Sequence, residues 1–210
     1  MSAAQIADAE RRDLADLLLK LGPDEGTLCG DWTTRDLLAH LITRERRLDA
    51  APGILIPPLA WWTERVQDSI AHGEFGELVG TLRSGPPIWS PLALPPLRAV
   101  DVQEFFIHHE DVRRAQAGWS PRPPDEARDH QLWRMAGLLG RLTYRSSPVA
   151  VTLRRPDGAE HAVKSGPRTV ILTGEPGELL LHAAGREECV VHPEGEPADV
   201  ATVMALERGL

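Results

Sequence analysis

The stretch PLRAVDVQEFFIHHEDVRRAQAG, residues 96–118, decides the fold of the chain. Read as an α-helix, it places Glu104 and His108 four residues apart, one turn above the other on a single face, and Asp111 continues this face. A carboxylate and an imidazole stacked in this way each offer a ligand to a metal ion, but such a site needs at least one more ligand. The pattern therefore predicts a metal site that another segment of the chain completes.

A second predicted helix carries a candidate for the missing ligand. Residues 33–36, Thr-Thr-Arg-Asp, resemble a capping box, and the helix that follows bears His40 among leucines. A lone histidine on an apolar helix face is more often a core residue than a ligand. Glu104 and His108 favour the ligand interpretation, because two histidines and a carboxylate are a common open metal site.

The apolar neighbours of Glu104 and His108 bear on whether this pair is a metal site or a solvated polar face. Phe105, Phe106 and Ile107 lie between the two residues in the sequence, so most faces of the helix are predicted to be buried. A buried unpaired charge is costly, and a bound metal ion would offset that cost.

The composition indicates a globular protein without nucleic-acid or membrane partners. The 210 residues are 42% hydrophobic and 26% charged, and the net charge of −8 argues against a nucleic-acid-binding surface. The two cysteines, Cys29 and Cys189, form no CxxC pair, so neither a disulfide scaffold nor a thiolate zinc site is expected. Because no signal peptide and no apolar run of membrane-spanning length is recognisable, we expect a cytoplasmic protein.

The first two thirds of the chain have the periodicity of helices. Amphipathic patterns and turn residues predict helices over residues 4–20, from 33 onward, around 61–70 and 78–82, and over 126–144. Gly118 is predicted to end the central helix.

After about Ser146 the pattern changes to that of strands. Val149, Val151 and Leu153 alternate with small or polar residues, and Asp157-Gly158 is a hairpin signal. Further strands are predicted at 161–164, 169–173 and 189–192, and helices over 176–184 and 198–207. We therefore predict a mainly α protein with two domains, a helical domain of residues 1–146 and a small α+β domain of residues 147–210.

Three segments carry a family likeness: GPDEGTLCGDWTTRDLLAHL (22–41), EFFIHHEDVRRAQAGW (104–119) and GEPGELLLHAAGR (174–186). They resemble the mycothiol-dependent maleylpyruvate isomerase superfamily, and more closely a branch of it that is described only as metal-binding. The resemblance covers nearly the whole chain. It implies a DinB-like four-helix bundle followed by the small α+β domain of those isomerases.

The resemblance also implies a ligand set. In the superfamily, a histidine of the second helix joins an ExxxH pair on a later helix to hold a divalent metal, usually zinc; here these would be His40, Glu104 and His108. Water or a substrate thiolate would take the remaining position. His109 points about 100° away from His108 around the helix axis and is not expected among the ligands. Asp111 is expected to orient a ligand from outside the coordination sphere, which makes it a candidate catalytic residue.

The chemistry that the resemblance implies is thiol-linked. In the isomerases that the chain resembles, the metal activates the thiol of mycothiol, which adds to a conjugated double bond and permits cis–trans rotation. Arg186 is the candidate for holding the acidic substrate and the cofactor, although a Gly-Arg pair also suits a helix end. Trp32 is either a core residue or a wall of the cofactor cavity. The expected partners are a small electrophilic substrate and a low-molecular-weight thiol, and the chain is expected to be a monomer or a homodimer.

Four functions stay open on the sequence. A metal- and thiol-dependent isomerase or S-transferase, the function that we expect, needs an open position on the metal. A non-catalytic metal-binding or stress-linked module would close the coordination sphere with a fourth ligand such as His109 or Asp111. A metal-dependent hydrolase would use Asp111 or Glu110 as a general base. An interaction module without a metal is disfavoured by the intact triad.

Overall fold

The computed structural model describes residues 1–54, 56–94 and 98–208, with the backbone alone for residues 98 and 99. The predicted start of the central helix at Pro96 lies outside the described residues. The chain divides into two compact units, Met1–Trp119 and Ser120–Leu210. No described helix is long and apolar enough to cross a membrane.

The described part of the first unit consists mainly of helices. The described part contains α1 (Ala3–Leu21), α2 (Thr34–Arg46), α3 (Ala60–Ala71), α4 (Phe75–Arg83) and α5 (Arg98–Arg114). The predicted capping box at the start of α2 is present: the Thr33 hydroxyl accepts from the Asp36 amide, and the Asp36 carboxylate accepts from the Thr33 amide at 2.9 Å. The same arrangement, made by Ser2 and Gln5, begins α1.

One hydrophobic core holds these helices together. Helix α1 packs against α5 and α4, and α2 packs against α3 and α4. The buried side chains at these contacts include Leu14, Leu18, Leu37, Leu38, Leu41, Leu82, Phe105 and Val112. This core places α2 and α5, the two helices that carry the predicted ligands, in one unit. The unit is helical as predicted, and the DinB-like four-helix arrangement within it stays a prediction.

The central helix ends earlier than predicted. Its last residue is Arg114, and residues 115–118 form turns instead of continuing to Gly118. The Gln116 amide donates to the Arg113 carbonyl oxygen at 3.3 Å, a tightened final turn that satisfies a terminal carbonyl. Gly118 still adopts the positive φ of 78° that favours glycine, but it does so in the connection after the helix.

Up to residue 208, the second unit is a four-stranded sheet with three helices. Its elements are α6 (Glu126–Thr143), β1 (Ala150–Arg154), β2 (Glu160–Lys164), β3 (Thr169–Thr173), α7 (Pro176–Ala183), β4 (His192–Glu194) and α8 (Pro197–Met204). The strand order is β2-β1-β3-β4, with β1 parallel to β3 and both outer pairs antiparallel. The predicted hairpin at Asp157-Gly158 joins β1 to β2, and Gly158 takes a φ of 88°.

Helix α6 belongs to the second unit. It packs against α7 and β2, with Leu132, Ala136 and Leu139 buried. The compact units therefore divide after Trp119, whereas the change of composition near residue 146 marks the start of the strands. The domain division 1–146 and 147–210 stays a prediction about the sequence.

The last strand lies later than predicted. Residues 189–192 were expected to form it, but β4 spans His192–Glu194. The Val190 amide donates to a Glu178 carboxylate oxygen at 2.7 Å, and the Cys189 amide donates to the Glu187 carbonyl oxygen at 2.8 Å. Both backbone donors thus bond to groups outside the sheet, and sheet pairing begins only after them.

Glycine at position 140 permits close packing of α6 on the sheet. A Cβ at Gly140 would lie 2.9 Å from a methyl carbon of Val163, whereas a Cβ at Gly80 in α4 would meet nothing within 4 Å. Gly140→Ala is expected to lower the free energy of unfolding by up to about 2 kcal/mol, because overpacking outweighs the gain in helix propensity. The control Gly80→Ala should raise it by up to about 1 kcal/mol. Unfolding in urea measures both, and a stabilised Gly140→Ala variant would contradict this packing.

Acid sensitivity is expected from a buried histidine of the second unit. Burial lowers the pKa of His182 to about 3, with a further lowering by Arg208, and Nδ1 of His182 lies 2.5 Å from the Tyr144 hydroxyl. As the pH falls, the unfolded chain takes up a proton near the ordinary pKa of about 6.5 while the folded state resists it. His182 should therefore lower the free energy of unfolding by about 3 kcal/mol as the pH falls from about 7 to about 4. His182→Gln should flatten the pH dependence of unfolding relative to the control His130→Gln at an exposed position, and an equal slope in both variants would refute this.

Candidate metal centre

The three predicted ligands converge in the first unit. His40 comes from α2, and Glu104 and His108 come from α5. Nε2 of His40 lies 3.6 Å from Oε1 of Glu104, and Nε2 of His108 lies 3.4 Å from the same oxygen. Ligands at 2.0–2.3 Å from a tetrahedral ion are separated by about 3.3–3.8 Å. The spacing therefore suits a divalent cation between the three atoms.

The triad is recessed but reaches the surface. His40 is buried, the His108 side chain is 13% exposed and that of Glu104 is 23% exposed. No fourth histidine, cysteine or carboxylate of the described residues joins this group. A site of this kind keeps a coordination position for an external ligand.

Each imidazole has a partner at the nitrogen that faces away from Glu104. The carboxylate of Asp111 lies 3.0 Å from Nδ1 of His108, where it accepts a hydrogen bond and leaves Nε2 directed at Glu104. The side-chain amide of Gln67, on α3, lies 3.2 Å from Nδ1 of His40. Gln67 was not singled out in the sequence, because its position in α3 gave no indication of proximity to His40.

Charges around Glu104 keep it ionised. Burial raises the pKa of Glu104, but close contacts with the His108 and His40 rings and the charge of Arg44 outweigh it and hold that pKa well below its ordinary value. Burial lowers the pKa of His108, but its contacts with Asp111, Cys29 and Glu104 outweigh burial and hold that pKa well above its ordinary value. Burial dominates at His40 and lowers its pKa, which favours the neutral form that binds metals.

Arg44 is a further charged group beside the triad. Its guanidinium donates to Asp101 at 2.9 Å, and its Nε lies 3.5 Å from Oε1 of Glu104. Both Arg44 and Glu104 are therefore held by neighbours on α2 and α5. Arg44 lies in the last turn of α2, one turn after His40, and its position in the sequence alone did not indicate a contact with Glu104.

Cys29 is a second residue beside the triad that sequence reasoning missed. Its thiol donates to the Asp111 carboxylate at 3.0 Å, and its sulfur lies 3.7 Å from Nδ1 of His108. The Leu28 amide also donates to the Asp111 carbonyl oxygen at 3.1 Å, which fixes this loop on α5. The signal available in the sequence was the position of Cys29 in the turn-rich segment that leads directly into the helix bearing His40.

Trp32 lies beside His40, and His109 lies apart from the triad. The Trp32 ring is 5.1 Å from the His40 ring, and Trp32 also packs against the hydrophobic core of the unit. Nδ1 of His109 lies 3.2 Å from a carboxylate oxygen of Glu10, on α1 and apart from the triad. A cofactor-binding role for Trp32 stays a prediction.

Two further candidates have other neighbours. Both oxygens of Glu110 accept hydrogen bonds from Arg113 and Arg114, and Glu110 is fully buried. Arg186 belongs to the second unit, where its guanidinium donates to the Ala184 carbonyl oxygen at 2.8 Å just after α7. The predicted role of Arg186 in binding substrate and cofactor stays a prediction.

No protein-family model and no curated protein sequence matches the chain. Among solved structures, it is similar to the crystal structure of the mycothiol-dependent maleylpyruvate isomerase, with a TM-score of 0.60 and 16% sequence identity over 92% of each chain. At this identity the likeness concerns the backbone, and it extends over almost the full length of both proteins. The chain therefore has the fold of the mycothiol-dependent maleylpyruvate isomerase.

Proposed function

We propose that the protein holds a divalent metal ion, with zinc the best fit, on His40, Glu104 and His108 and uses it in a thiol-linked isomerisation or S-transfer. The observation that carries the proposal is the convergence of these three side chains in a chain with the fold of a mycothiol-dependent isomerase. Mycothiol is the proposed thiol and a small conjugated electrophile the proposed substrate.

The donor set fits a borderline divalent cation. Two imidazole nitrogens and one carboxylate oxygen are typical of catalytic zinc, which takes an external ligand at its fourth position. Bound there, the ion supplies a positive charge beside which a thiol loses its proton. Asp111 keeps His108 in the tautomer that presents Nε2, and Arg44 and Asp101 hold the Glu104 carboxylate in place.

The proposed reaction balances without an oxidant or reductant. The thiolate adds to one carbon of the conjugated double bond and forms a C–S bond, while the π electron pair moves onto the conjugated carbonyl as an enolate and leaves a C–C single bond that can rotate. Collapse of the enolate restores the double bond in the other geometry and expels the thiolate unchanged. If a proton is instead added to the neighbouring carbon, the thioether is the product and the reaction is an S-transfer.

Asp111 and Arg186 have different proposed roles. Asp111 acts through His108, because its carboxylate lies against Nδ1 and not against the side of the ring that faces Glu104. Arg186 is proposed to bind the acidic group of the substrate and the cofactor, a role that suits a planar guanidinium. Trp32 is proposed to form part of the cofactor cavity beside His40.

The geometry gives less support to the alternatives. A closed, non-catalytic site would need a fourth ligand, but His109 pairs with Glu10 and Asp111 lies at the far nitrogen of His108. A hydrolase would need a base near a metal-bound water, and Glu110 is instead held by two arginines.

Metal content is expected to depend on the triad and not on the adjacent histidine. His40→Ala, Glu104→Ala and His108→Ala should each weaken zinc binding by more than about 100-fold, since each removes a ligand from the coordination sphere. Elemental analysis and competition with a chromophoric chelator measure this in protein prepared without a histidine tag. His109→Ala is the matched control and should keep about one ion per chain. Full metal content in His40→Ala, or loss in His109→Ala, would overturn the ligand assignment.

Thiol dependence is expected to appear in turnover of an acidic cis-alkene such as maleylpyruvate. The zinc-loaded protein should isomerise it only when mycothiol is added, and Arg186→Ala should raise KM by about tenfold or more through the loss of a charge-assisted hydrogen bond. Arg186→Lys should recover part of that loss. Arg168→Ala, at an arginine of the same unit that pairs with Asp199, is the control and should leave KM unchanged. Turnover without thiol would exclude this chemistry, and an unchanged KM in Arg186→Ala would remove that residue from substrate binding.

A further inference from the structure

Nδ1 of His108, the ring nitrogen that faces away from Glu104, lies in a second cluster of polar side chains. Nδ1 of His108, a carboxylate oxygen of Asp111 and the sulfur of Cys29 all lie within 4.8 Å of one another. The carboxylate oxygen is 3.0 Å from both the nitrogen and the sulfur, and the sulfur is 3.7 Å from the nitrogen. These three groups are a thiol, an imidazole and a carboxylate, which are the three kinds of side chain that bind zinc-like ions.

The separations are close to those of a coordination sphere. Ligands around a tetrahedral ion with bonds of 2.0–2.3 Å are about 3.3–3.8 Å apart, so a small outward shift of the Asp111 oxygen would admit a cation. The backbone already supports the sulfur, because the Leu28 amide donates to the Asp111 carbonyl oxygen and the Cys29 amide donates to the Thr27 hydroxyl at 3.1 Å. Asp111 is fully buried, whereas Cys29 is partly exposed and offers an entry path from the loop side.

We propose that Cys29, Asp111 and Nδ1 of His108 form a second cation site, which takes a thiophilic divalent ion such as cadmium or zinc. A thiolate makes this donor set softer than the two imidazoles and carboxylate of the triad, and soft ligands favour thiophilic metals. The site goes beyond the proposed function, because it does not require that the triad binds a metal or that the protein is an enzyme.

The charges and protons of the site balance. On binding, the Cys29 thiol and Nδ1 of His108 each release a proton to solvent, and the thiolate and the Asp111 carboxylate together neutralise the two charges of the cation. His108 must then carry its remaining proton on Nε2, whereas a metal on the triad needs that proton on Nδ1. The two sites therefore share one imidazole and are filled alternately, so that a thiophilic ion at Cys29 displaces a metal from the triad.

Cadmium titration of the full-length protein tests the site through the ultraviolet charge-transfer band of cadmium thiolates. The wild type should develop this band with about one cadmium ion per chain, and Cys29→Ser should lose it. Cys189→Ser, at the other cysteine of the chain, is the matched control and should keep the band. Asp111→Asn should weaken cadmium binding by at least about tenfold.

His40→Ala separates this proposal from the proposed function. It removes a triad ligand and leaves the Cys29 cluster intact, so the cadmium band should persist even if zinc binding at the triad is lost. Serine at position 29 keeps a hydrogen-bond donor to Asp111, and circular dichroism will show that the variant is folded. Absence of the band in the wild type, its persistence in Cys29→Ser, or its loss in Cys189→Ser would each overturn the second site.

Discussion

The Glu104 carboxylate is the constraint on which the arrangement of the candidate site depends. One of its oxygens lies 3.4–3.6 Å from two imidazole nitrogens and from the guanidinium of Arg44. A recessed carboxylate is stable only where positive charge or hydrogen-bond donors compensate for lost hydration. His40, His108 and Arg44 provide these, and a cation bound among the imidazoles would add to that compensation.

Buried ion pairs next to the triad connect the helices of the first unit. Arg44 bonds to buried Asp101 on α5, Arg11 on α1 pairs with buried Glu45 on α2, and the Arg11 guanidinium lies 4.4 Å from the Phe105 ring centre. Buried ion pairs of this kind contribute little net stability, because desolvation offsets their attraction. Their geometric effect is larger, since they tie α1, α2 and α5 together in one orientation and so keep the ligands on two of those helices in register.

His108 belongs to both clusters of polar side chains described in the first unit. Its two nitrogens face different groups, with Glu104 on one side and Asp111 and Cys29 on the other. The proton on the ring therefore decides which side can accept a cation. The same loop that carries Cys29 continues through Trp32, which lies against His40, into the cap of α2. A change in this loop would therefore alter contacts with both histidines.

Local patterns were enough to predict most of the helices and strands and the three side chains of the candidate site. The ExxxH spacing on α5, the capping box before α2 and the Asp157-Gly158 turn are encoded within a few residues, so they could be predicted from the sequence and are present in the structure. Contacts between residues that are distant in the sequence could not be predicted in this way. Cys29 and Gln67 reach the histidines only because α2, α3, α5 and the loop pack on one core, and the strand predicted at Cys189 starts later because Glu178 takes the Val190 amide. Periodicity specifies which face of a helix is apolar. Only tertiary packing decides which polar groups of distant segments come to lie beside a given side chain, because that depends on how the helices pack together.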